Sequence, residues 1–245
     1  MALRRFSVGL SLGLVLAILK PPLWAADRPS ESFDDRLSAF RKDMIAACAQ
    51  FQAGKPRESG EQFDAELAAL EASWANLASD FREAPPAPYA GDVKWPQYFD
   101  SVRENLQAMR AAVAAGRYGK AFEICGSTCA LFVAMHETNG ISTVCDKLFE
   151  FRKQAKSMLA QIKNGHTEAA KLRLPALLAQ RDVILLTPVP EKAAGESGEY
   201  LRLVKEFSGC VDAFATALVN DMPAAALVSY DAMMKAFTSV YNRYI

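Results

Sequence analysis

Apolar side chains recur along this chain at steps of three and four, the period of an amphipathic helix, and nowhere alternate singly as a strand would. Between Glu31 and Ala53, Phe33, Leu37, Phe40, Met44, Ala47, Cys48 and Phe51 share one face, and Gly54-Lys55-Pro56 ends the run. Ser59 with Gln62 three residues on forms a capping box for a second helix carrying Phe63, Leu67, Leu70, Trp74, Leu77 and Phe81. Pro85, Pro86 and Pro88 stop it. A third helix carries Phe99, Val102, Leu106, Met109 and Val113 and ends at Gly116; a fourth runs from about Tyr118 to Glu137 and stops at Asn139-Gly140. The first and third connections are short, which favours antiparallel neighbours. The predicted unit is an up-down-up-down four-helix bundle, with Trp74 and Trp95 at its edge.

The pattern then starts again. Phe40-Arg41-Lys42 returns as Phe151-Arg152-Lys153, Ala49-Gln50 as Ala160-Gln161 and Gly54 as Gly165, all at one offset of 111 residues. A second proline loop, Pro188-Val189-Pro190, splits the next helix pairs, and an eighth helix opens near Pro223, a favoured first-turn residue. A shared offset and a shared layout predict a duplication: an all-α chain of two tandem four-helix bundles, residues 27–140 and 141–245.

Residues 1–26 read as a secretory signal: Arg4 and Arg5, an apolar run from Val8 to Leu19, then Ala25-Ala26 before Asp27. The expected location is the periplasm or the exterior. Nothing later is apolar enough to span a bilayer. Lys plus Arg (28) equals Asp plus Glu (28), so no basic field argues for nucleic acid. The five cysteines, Cys48, Cys125, Cys129, Cys145 and Cys210, follow the signal region; their odd number leaves at least one thiol free or paired between chains.

The chain has two histidines, His136 and His166, and carries no glycine-rich phosphate loop. Glu123 and Glu137 lack the Glu-x-x-His pairing of di-iron bundles. These features argue against an enzyme. Two clusters could hold a cofactor. In an antiparallel pairing of the first and fourth helices, Met44 and His136 are expected at one level, and a thioether facing an imidazole can hold a haem iron from both sides. Alternatively Met44, Cys48, Cys125 and Cys129 line one seam with soft ligands suited to Cu(I). The plainer readings are that Met44 fills the core, that His136 answers the helix dipole, and that Cys48 and Cys129 form a disulfide or stay buried thiols.

The first half resembles the soluble periplasmic b-type cytochromes of the four-helix-bundle class, which are close in fold to the cytochromes c-prime. The resemblance rests on Met44, Pro85-Pro86, Phe99 and the run from Gly116 to His136. It implies non-covalent haem b held by Met44 and His136, electron transfer, and a redox partner protein. Phe132 and Met135 stand where the c-type members have their haem-attaching cysteines, so covalent attachment is not expected. Ala155 and Tyr241 stand where Met44 and His136 would recur, so the second half is expected to carry no ligands. The alternative function is a haem-free binding or scaffolding module; the second alternative is Cu(I) binding.

Overall fold

The computed structural model describes residues 32–51, 60–188 and 195–244. The signal region, the Gly54-Lys55-Pro56 stop, the Ser59 capping box and Val189-Pro190 lie outside the described residues. Within them the chain is all helical: α1 (Phe33–Ala49), α2 (Gly60–Phe81), a 3-10 turn (Ala87–Tyr89), α3 (Trp95–Ala114), α4 (Tyr118–Thr138), α5 (Val144–Lys163), α6 (Thr167–Leu186), α7 (Ser197–Val219) and α8 (Pro223–Tyr244). No described helix is long and apolar enough to cross a membrane.

Helix ends follow from local chemistry. Gly116 takes a left-handed φ of 67° after α3. That geometry lets its own N–H reach the Val113 carbonyl and the Arg117 N–H reach Ala112, closing two carbonyls the helix leaves open. Gly140 does the same for α4, where the Ile141 N–H bonds the His136 carbonyl. The turn after α7 uses Asp221 in that conformation, and its carboxylate pairs with Lys171.

Packing groups the helices in two sets. In the first, α1 touches α2 and α4, and α3 touches α2 and α4; α5 to α8 repeat this closed pattern. The buried apolar side chains accordingly fall into two clusters, one from each set. Ile45 packs against both, and Phe33–Ile245 forms a single compact unit. The interior of the first set is aromatic. Phe40 lies 5.0 Å from Trp74 and 6.0 Å edge-on to Phe132, while Phe33 meets Trp95 at 4.9 Å, measured between ring centres.

Both tryptophans differ from expectation: Trp74 and Trp95 are core residues, 3% and 1% exposed, not edge residues. Each can be buried because its indole N–H finds a carbonyl, Trp74 on Phe99 at 3.0 Å and Trp95 on Phe81 at 2.8 Å. The Phe81 carbonyl, at the end of α2, also accepts the Ala84 N–H at 3.2 Å, so the indole joins an existing turn.

A Cys48–Cys125 disulfide joins the end of α1 to the first half of α4. Of the two readings for Cys48 and Cys129, a mutual disulfide or buried thiols, neither holds for Cys48, whose partner lies one turn before Cys129, while Cys129 is a free buried thiol. At the other end of the pair, Asp34 in the first turn of α1 approaches His136 near the end of α4. The two links establish that α1 and α4 run antiparallel. The bond closes a loop with a sequence separation of 77, for which chain entropy estimates about 4 kcal/mol. Replacing both Cys48 and Cys125 by Ala should cost a few kcal/mol, read as a lower denaturant midpoint. An unchanged midpoint would show that the bond adds nothing to stability.

Candidate functional site

Two features stand out: a buried ion cluster where α1, α4 and α5 meet, and a cleft beside it. The cluster centres on Asp146. Thr143 caps α5, accepting from the Asp146 backbone N–H at 3.2 Å, which fixes the aspartate one turn into the helix. Its Oδ1 accepts from Arg41 Nη1 at 2.8 Å. Its Oδ2 accepts from the Thr143 hydroxyl and bonds His136 Nδ1, each at 2.6 Å. Arg41, His136 and Asp146 are all buried, at 2–3% exposure.

Burial alone would push the Asp146 carboxyl up. The His136 hydrogen bond, the Arg41 charge and the Thr143 hydroxyl outweigh that and hold it at about 2. An ionised carboxylate only accepts, so His136 Nδ1 carries the proton. His136 Nε2 is buried without a hydrogen bond and lies 3.9 Å from Asp34 Oδ1. Asp34 in turn accepts from the Tyr89 hydroxyl at 2.5 Å. Sequence reasoning reached His136 and missed its partners. The Thr143-x-x-Asp146 spacing, a capping-box pattern, was the available signal.

On the register that the disulfide sets, Met44 and His136 fall at different levels of the α1–α4 pair. The disulfide sets the level of Cys48 opposite Cys125, so Met44, one turn before Cys48, falls near Cys129. His136 stands seven residues beyond Cys129, roughly 10 Å along the axis. Met44 is fully buried in the apolar core of the first set, while the imidazole turns its two nitrogens toward Asp146 and Asp34. This register lends no support to a Met44–His136 haem site. The copper seam changes too, because Cys48 and Cys125 are spent in a disulfide and offer no thiolates. Among the described residues, no three His, Cys, Asp or Glu side chains group as metal ligands. His166 sits at the cap of α6 without a side-chain capping bond.

The cleft, about 490 Å³, opens where α1 and α4 face α5 and α8. Ile45, Phe122, Phe149 and Phe237 give it apolar walls, and the disulfide and the free Cys129 line one side. Arg152, Lys153 and Lys156 of α5 bring positive charge. Burial, with Arg152 one turn away, lowers Lys156 to about 8, and its ammonium sits 4.7 Å over the Phe122 ring. Buried beside the cleft, Cys129 has its thiol pushed up to about 11, chiefly by desolvation, so it is a poor nucleophile.

Comparison with protein-family models, with curated proteins and with solved structures finds no match.

The ion cluster makes an acid-stability prediction. A carboxyl held below its ordinary value stabilises the fold fully above about pH 4, and this contribution disappears as pH falls toward 2. Denaturant midpoints of the native chain should therefore drop between pH 5 and pH 2.5, and Asp146→Asn should flatten that drop. An equal fall in the variant would place the acid sensitivity elsewhere. At neutral pH, Asp146→Ala should cost about 3–5 kcal/mol, because it leaves Arg41 buried and uncompensated.

Proposed function

We propose that this protein is an exported, haem-free binding module: two four-helix bundles in tandem, the second a diverged copy of the first, taking a ligand in the cleft between them. The observation that carries this reading is the cleft itself. Its volume lies in the range of small-molecule sites, and its walls combine apolar area with a few convergent polar groups. It is formed by four helices from both halves of the chain. That gives the second half a role although it lacks any counterpart of His136.

Other observations support the surrounding picture. The 111-residue offset and the two closed sets of helices support duplication. The N-terminal signal pattern and the disulfide support export to an oxidising compartment. The histidine cluster has a structural role in this reading, tying α1, α4 and α5 together beside the cleft.

Gly126 supplies the test. It lines the cleft, and a Cβ added there meets nothing within 4 Å. Gly126→Phe should fill the space while relieving a glycine inside α4, a change of helix propensity in the stabilising direction. The uncharged dye N-phenyl-1-naphthylamine should bind the purified protein at one site with enhanced fluorescence. The variant should lose that signal with an unchanged or higher melting temperature. Equal dye binding by a folded variant would remove the cleft as the site. The visible spectrum separates the rival: a Soret band that shifts on reduction and vanishes in His136→Ala would replace this reading with haem binding.

A further inference from the structure

The cleft carries an electrostatic imbalance that its apolar walls do not explain. Arg152 and Lys156 lie one helical turn apart on α5, both line the cleft and both are half-buried. Like charges at that spacing destabilise a helix, and withdrawing either from water adds a desolvation cost. The depressed Lys156 reflects both effects. Glu123, which also lines the cleft, pairs with Lys120, and Glu150 pairs with Lys153. Among the described residues no carboxylate forms an ion pair with Arg152 or Lys156. Lys156 is instead laid over the Phe122 face, at the boundary between the charged and apolar parts of the cleft.

Two neighbouring cations without a counter-ion, set against three phenylalanines, define the chemistry of what would complete them. An anion placed between Arg152 and Lys156 would relieve their repulsion and share two charge-assisted contacts. The remaining space offers an apolar chain contact with Phe122, Phe149 and Phe237, and few polar partners. A sugar, a nucleotide or a free inorganic anion would leave most of this surface unused.

We propose that the cleft binds an amphiphile with one anionic head and one apolar chain, a fatty carboxylate, with its head at Arg152 and Lys156 and its chain along the phenylalanines. This rests on the reading of the cleft as the binding site, and the experiment separates the two.

The probes are decanoate, 1-decanol and acetate, each titrated below aggregation against the protein carrying N-phenyl-1-naphthylamine. Decanoate should displace the dye at a concentration about tenfold lower than decanol, the ratio expected if the head group contributes about 1.4 kcal/mol. Acetate should not displace it. Arg152→Met and Lys156→Met should each weaken decanoate severalfold and leave decanol unchanged, with circular dichroism melts reporting that both are folded. Equal potency of decanoate and decanol would overturn the anion assignment and leave the cleft as a site for neutral apolar ligands. Dye that binds, is excluded by Gly126→Phe and yields to neither amphiphile would overturn this inference alone. Dye that does not bind at all would overturn both readings.

Discussion

Arg41 is a full positive charge, 2% exposed, at the meeting point of three helices, and the arrangement around it depends on one carboxylate. An isolated buried guanidinium would cost several kcal/mol. Asp146 compensates it only because Thr143 starts α5 at the right place and turns that carboxylate inward. His136 then bonds the second carboxylate oxygen, bringing α4 to the same point. One aspartate thus ties α1, α4 and α5 together. Because these are charge-assisted bonds with fixed directions, they set the helices' register as apolar packing does not.

That register decides the neighbouring chemistry. The disulfide at one end of the α1–α4 pair and the Asp34–His136 approach at the other are consistent with one helix register. It puts Met44 at the level of Cys129 within the apolar core of the first set, with His136 two turns further along α4. This register gives the resemblance to the bundle cytochromes no support at the ligand positions. What the arrangement offers instead is a cleft roofed by the second set of helices, with a disulfide along one wall and two unneutralised cations along another.

The presence of two sets of helices takes on a physical meaning in this light. A single bundle would expose Ile45, Phe122 and the disulfide edge to water, an apolar patch of the kind that marks binding surfaces. The second set covers that edge incompletely, with Phe149 and Phe237 facing Phe122 across the gap. The second set then serves as a wall.

Among the described residues the periodicity of apolar positions was enough to mark the helical segments, because burial of one face per helix is a local requirement that each segment must meet alone. Gly116, Gly140 and Gly165 likewise announced their turns, since a left-handed φ favours glycine. The helix-to-helix register was not legible: sliding α1 by one turn against α4 keeps every apolar residue inward, and a Cys48–Cys129 bond is that slip. Nor was the depth of Trp74 and Trp95, which depends on carbonyls contributed by other segments. The cleft and its cations were invisible for the same reason. Arg152 and Lys156 are ordinary charged helix positions until folding lays Lys156 over Phe122 and sets both beside the cleft, and where a face ends up is a property of the whole packed chain.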